Sequence, residues 1–214
     1  SGTRSCARIV RIVAGSDGFE LTFTAGSAGG FPYVDAALVD YALPSFWDRN
    51  LDAAGSGGPT PSGDWDTASW NAKGDGTGTP TGWTGGLAAF SAGNDATGSY
   101  TVTVNGTQDI TGLFFTDGTV TLGAGTTPQL RMTADTLVDV GTGLTATIEA
   151  PITDNGTSWQ LNKTGAGKLV LSGANAYTGA TNVLAGALQL GASDVIPDTS
   201  AVTLAANTAL DLAG

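Results

Sequence analysis

Histidine is absent from this 214-residue chain, and cysteine occurs once, as Cys6. Those two gaps remove a Ser-His-Asp triad, a Cys-His dyad, any histidine-ligated metal and any cysteine-rich zinc site. A single cysteine also excludes an intramolecular disulfide, so Cys6 is left with an intermolecular bond or an incidental thiol. Basic residues are few: eight Lys and Arg stand against 19 Asp and Glu, for a formal net charge of −11. Nucleic acid, whose phosphates need a basic surface, is therefore not an expected partner. Charged residues make up 13% of the chain, about half the usual share of a soluble domain. No apolar run approaches the ~20 residues of a membrane-spanning helix. The first 14 residues are basic but carry no apolar stretch, so they do not make a complete signal peptide, and a mature or trimmed chain is expected.

What the chain has in abundance is small residues: 33 Gly, 32 Thr and 31 Ala, close to half of the total. Only Glu20 and Glu149 are glutamates among the acids. Strong helix formers are thus scarce, while strand and turn formers abound. Hydrophobic residues reach 41%, enough for a core, but a thin one of small side chains.

Three regions follow. Residues 1–15 are a basic arm with Arg4, Arg8 and Arg11, expected to be solvated or to dock on an acidic neighbour such as another copy of the chain. Residues 16–63 read as a capping region and linker. Phe19 to Phe23 alternates like a strand. Val34, Ala37, Leu38, Tyr41 and Ala42 fall on one helical face, which Pro44 ends. Residues 64–214 contain short strand-like runs, such as Tyr100–Val104, Lys168–Leu171 and Ala187–Leu190, punctuated by Gly, Asn and Asp. Two architectures fit: an antiparallel sandwich or barrel, and a parallel β-solenoid. The repeated x-Leu/Val-x-Leu cores at 167–173, 186–191, 200–205 and 208–214, with gaps of varied length, favour the solenoid.

Residues 161–191 carry a more specific pattern. Lys163, Gly165, Gly167, Leu169, Leu171, Gly173, Asn175, Tyr177, Gly179, Thr181, Val183, Gly186, Leu188 and Leu190 fall at the positions of one motif. This motif closely resembles the passenger-associated repeat of bacterial autotransporters. The resemblance implies a right-handed parallel β-helix, exported and displayed at the cell surface or secreted, in a family of stalks, adhesins and scaffolds. It marks architecture and export rather than catalysis. A C-terminal membrane barrel, usual in the family, is not in this sequence, so a passenger fragment, a processed passenger, or a protein that uses this repeat without the usual translocator is expected. Leu169, Leu171, Val183, Leu188 and Leu190 are expected to face inward. The five motif glycines are expected at corners, with Asn175 bonding local backbone and Tyr177 packing over a corner.

Other chemistry finds less support. The acids Asp95, Asp109, Asp117, Asp135, Asp139, Glu149 and Asp154 are scattered, and no pair of carboxylates is identified for glycan cleavage. Asp64-Trp65-Asp66 and Asn94-Asp95 lie in no calcium-binding repeat, so solvated turn acids are expected there. No metal and no cofactor is expected. Trp65, Trp70 and Trp83 have two readings: a core plug among small residues, or a platform for stacking sugars. The expected role is a non-enzymatic structural or adhesive surface solenoid, with host-surface or matrix components as partners. One alternative is a filament subunit stacking head to tail through Arg4, Arg8, Arg11, Leu210 and Leu212. The other is a carbohydrate-binding or carbohydrate-cleaving solenoid.

Overall fold

In the computed structural model the described residues are 11–15, 18–22 and 43–212. The chain divides into two units, Ser1–Leu43 and Pro44–Gly214. In the first, β1 (Arg11–Gly15) and β2 (Gly18–Thr22) form an antiparallel pair, so the strand expected from Phe19 is present. The helix expected over Val34–Ala42 lies outside the described residues, as do Arg4, Cys6 and Arg8.

The second unit is a parallel β-solenoid of about six turns. Its opening segments are β3 (Ser45–Trp47), β4 (Gly63–Asp64) and β5 (Trp70–Asn71). Each later coil contributes one strand to each of two sheets. The pairs are β6 (Gly86–Phe90) with β7 (Ser99–Val104), then β8 (Thr107–Phe115) with β9 (Thr119–Ala124). Next come β10 (Gln129–Val140) with β11 (Thr145–Ile148), and β12 (Ile152–Asp154) and β13 (Leu161–Thr164) with β14 (Lys168–Leu171). The last are β15 (Thr181–Val183) with β16 (Ala187–Leu190), and β17 (Val202–Leu204) with β18 (Ala209–Asp211). One sheet runs β17-β15-β13-β10-β8-β6-β3-β5, the other β18-β16-β14-β11-β9-β7-β4. Every pairing from β6 onward is parallel, which rules out the antiparallel sandwich. The sheets also take in β3 and the start of β4, which lie within the 16–63 capping region and linker of the sequence reading.

Period-2 alternation explains why these strands stack as they do. Successive side chains point to opposite faces, so equal registers build columns of like residues. In the second sheet Tyr100, Val120, Ala146, Leu169, Leu188 and Leu210 stand in one column, and Val102, Leu122, Ile148, Leu171 and Leu190 in the next. All but Leu190 and Leu210 are buried, and those two pack against the core from partly exposed positions. In the first sheet the facing column is Ala88, Leu113, Val138, Lys163, Val183 and Leu204.

An aromatic plug fills the β3 end of this core. Trp47, Trp65, Trp70, Trp83 and Phe90 lie with ring centroids 4.6 to 5.7 Å apart, and Phe90 stacks on Phe115. The antiparallel β5 closes the β3 edge of its sheet.

Candidate functional site: the repeat coil

The 14 motif residues all fall in or beside two successive coils, β13–β14 and β15–β16, which stack on each other. Leu169, Leu171 and Leu188 stand in the inward columns with Val183 opposite them, fully buried, and Leu190 is half-buried on the core. The five motif glycines share one property. A Cβ built on Gly165, Gly167, Gly173, Gly179 or Gly186 would sit within 3.0 Å of a backbone carbonyl oxygen, in most cases of the preceding coil. Gly165 adds a positive φ of 71°, a conformation that side chains with a Cβ adopt at a cost. These glycines set how closely two coils approach.

Lys163 stands on the inward face, in the column between Val138 and Val183, and is fully buried. Its ammonium donates to the carbonyl oxygens of Thr164, Gly165 (2.9 Å) and Ala185 (3.2 Å). Three N–H donors thus meet three carbonyls at a corner, two on its own coil and one where the chain leaves β15. Burial pushes the ammonium down to about 8, and the Asp139 charge opposes that shift.

Asn175 reaches farther than the local backbone bonding expected of it. Its Oδ1 accepts from the Ile152 N–H at 2.8 Å, and its Nδ2 donates to the Val195 carbonyl at 2.7 Å. One side chain therefore ties the coil before it to the coil after it. Its amide spans the gap that two successive backbones leave at a corner. Asn175→Ala orphans one buried N–H and one buried C=O, each costing about 1–3 kcal/mol. Chemical denaturation should show a loss of about 2 kcal/mol or more, against under ~0.5 kcal/mol for an exposed change such as Thr107→Ser.

Tyr177 is fully buried. Its hydroxyl shares a 2.7 Å hydrogen bond with Thr181, whose own hydroxyl lies 2.9 Å from that of Ser200. Burial raises the Tyr177 phenol, with the Thr181 and Ser200 hydroxyls acting against it. Thr181 fills an inward position between Leu161 and Val202. The chain of hydroxyls lets a threonine sit there without an unpaired oxygen.

The nearby carboxylates are engaged between coils. Asp135 accepts from the Gln160 N–H, Asp139 from the Thr164 hydroxyl, and Asp154 from both the N–H and the hydroxyl of Thr178. Asp109 and Arg131 pair in two-pronged fashion at 2.6 and 2.9 Å across β8 and β10. The Arg131 guanidinium holds the Asp109 carboxyl below the usual carboxylate range. No group of three or more His, Cys, Asp or Glu side chains able to hold a metal lies among the described residues.

The tryptophans are placed against the stacking-platform reading. Trp65 and Trp70 are 0% and 1% exposed, with their faces against each other, Trp83 and Phe90. Trp70 donates to the Trp65 carbonyl and Trp83 to that of Asp109. A sugar ring has no open face of Trp65 or Trp70 to meet. Of the residues assigned to an assembly interface, Arg11 opens β1, Leu210 is half-buried and Leu212 is exposed.

Sequence reading missed Trp47 as the fifth member of the aromatic group and Lys163 as an inward residue. A signal for the second existed: Lys163 shares the alternation phase of Leu161, and its charge masked it. Trp47 lies apart from the other tryptophans in the chain, and nothing local marked it.

Residues 161–190 match the passenger-associated-transport-repeat family. No curated protein and no solved structure matches the chain. The repeat and the β-solenoid around it fit an autotransporter passenger domain, and such a repeat implies a surface-exposed or secreted protein.

Proposed function

We propose that this chain is a non-catalytic structural segment of a passenger displayed outside the cell, with the solenoid as a spacer or scaffold. One observation carries the reading. In the repeat coil the motif residues are spent on stacking, as inward columns, close-approach glycines or hydrogen bonds to the neighbouring coils. A catalytic or ligand-holding coil would instead point polar groups outward into a shared cleft. Antibodies raised against residues 44–212 provide the test on source cells. Labelling of intact cells, or capture of the chain from the medium, is the expected result. Labelling only after permeabilisation overturns display.

A second reading, head-to-tail stacking of copies into a filament, is favoured by the coil β17–β18. Val202 and Leu204 stand in register with buried residues of β15 yet are 41% and 47% exposed. A further coil of matching register would cover them, supplied by polypeptide continuing past this sequence or by a second copy. Electron microscopy over a concentration series separates these. Filaments lost on Leu204→Asp support assembly through this face; single particles at every concentration reject it. Adhesion to host-surface or matrix components is the finer role within the same class, and binding assays on those surfaces address it.

A further inference from the structure

Two Asn-Gly steps occur in the chain, Asn105-Gly106 and Asn155-Gly156. Both lie in turns, and both glycines have positive φ, 60° and 96°. Such a step is chemically labile. The glycine amide nitrogen can attack the asparagine side-chain carbonyl carbon, because no side chain on the glycine hinders it. Whether it does so depends on what else holds the two groups.

At Asn105 everything is held. The Gly106 N–H donates to the Thr126 carbonyl at 2.9 Å. The Asn105 Oδ1 accepts from the Thr126 N–H at 3.0 Å, and its Nδ2 donates to Asp66 at 3.3 Å. The Thr126 N–H polarises this carbonyl too, but the nucleophile is occupied, and the Asn105 amide is tied at both ends to residues 21 and 39 positions away, so the two groups are kept from closing.

Asn155 differs in its nucleophile and in what holds its side chain. It lies in the exposed bulge between β12 and β13, outside the ladder. Its Oδ1 accepts from the Trp159 indole N–H at 2.8 Å and from the Thr157 N–H at 3.3 Å. Those bonds withdraw electron density from the amide carbon and hold the side chain in its turn. Among the described residues the Gly156 N–H makes no hydrogen bond, and nothing lies within 4 Å of where its Cβ would be. The nucleophile is free, and among the described residues the Asn155 side chain is bonded only to those two and four positions on, with two N–H groups on its carbonyl against one at Asn105.

We propose that Asn155 is a site of spontaneous deamidation in the bulge that precedes the repeat, while Asn105 is protected by the fold. The Gly156 nitrogen gives its proton to solvent base and bonds to the Asn155 Cγ. The Cγ–Nδ2 bond breaks, and the nitrogen leaves as ammonia after taking up a proton. The cyclic imide then takes up water at either carbonyl, leaving aspartate or isoaspartate at 155. No electrons are transferred, and water is the only co-reactant. Among the described residues the Asn155 Nδ2 makes no hydrogen bond that a carboxylate would lose, and in the aspartate product Oδ1 can still accept from Trp159. The product adds one negative charge beside Asp154 without breaking a coil-to-coil bond.

The test is peptide mapping by mass spectrometry of the full chain aged in mildly alkaline buffer, folded and in denaturant. Trypsin separates the two steps, since Arg131 lies between them: Asn105 falls in residues 74–131 and Asn155 in 132–163. In the folded chain, conversion at 155 with 105 intact is expected; in denaturant the two rates should come within about twofold. Labelling with an isoaspartyl methyltransferase should mark the same peptide. Trp159→Phe, which removes the N–H on Oδ1, should slow conversion at 155 in the folded chain only. Equal rates at both sites in the folded chain overturn the proposal, as does an intact Asn155 in a folded chain whose denatured form converts it.

Discussion

Gly179→Ala lowers the unfolding free energy of the purified chain by about 3 kcal/mol or more, as the expected result of guanidinium titration. A methyl at that position meets the Trp159 carbonyl and the Gln160 nitrogen, all backbone atoms of the coil beneath. A side chain could rotate away; these atoms cannot move without the ladder moving. The adjacent bond from the Leu161 N–H to the Ala180 carbonyl, 2.9 Å, is the first to be stretched. The effect is one of space, since Gly179 has no positive φ. Gly82 provides the control: its backbone is also ordinary, and nothing lies within 4 Å of an added Cβ. Gly82→Ala should stay within about 0.5 kcal/mol of the parent. Equal losses at the two positions would mean that coil spacing is not what the motif glycine serves.

The second large effect belongs to Lys163. Lys163→Met keeps the stem's bulk in the column and removes every donor. Replacing a buried charge by a hydrophobe often costs nothing, because the desolvation penalty goes with it. Here three corner carbonyls, of Thr164, Gly165 and Ala185, lose the donor that meets them. At about 1–3 kcal/mol for each unsatisfied group, that loss outweighs the relief, and a net destabilisation of about 2 kcal/mol is expected. The pH dependence is separate and has a fixed sign. The folded Lys163 titrates at about 8, against an ordinary 10.5. Between those values the unfolded chain binds a proton that the folded chain has released, so stability rises with pH through that window. The parent should therefore gain on Lys163→Met from pH 8 toward 10.5. Buried Tyr100 and Tyr177 act in the other direction above pH 10, because both phenols are raised in the fold, but they do so equally in the two proteins. A difference curve that is flat with pH would contradict the burial of Lys163.

The inward columns were legible beforehand because alternation is a property of the chain itself. Leu169, Leu171, Leu188 and Leu190 could be placed without knowing their neighbours, whereas the parallel stack needed the similarity between successive runs and the resemblance of 161–191 to a known repeat. The glycines were legible as corners, but their function is set by the coil below, which a single strand does not reveal. Asn175 was read as local for the same reason; its partners lie 23 and 20 residues away. Lys163 defied the rule that charged residues face out, because a corner of three carbonyls can solvate an ammonium. The tryptophans were ambiguous between plug and platform, since either use suits an indole among small residues. Only the mutual contact of their rings decides it.

The central claim is that the repeat at 161–190 supplies two successive rungs of a continuous parallel stack in register. Thr147, Val170 and Gln189 occupy one outward column on three successive strands. Spin labels placed there through Thr147→Cys, Val170→Cys and Gln189→Cys, on a Cys6→Ser background, would stand ~4.8 Å apart along the stack. Electron paramagnetic resonance should then give a spectrum collapsed by spin exchange, which separates into three lines on unfolding. A three-line spectrum from the folded protein would contradict the parallel register and the account built on it.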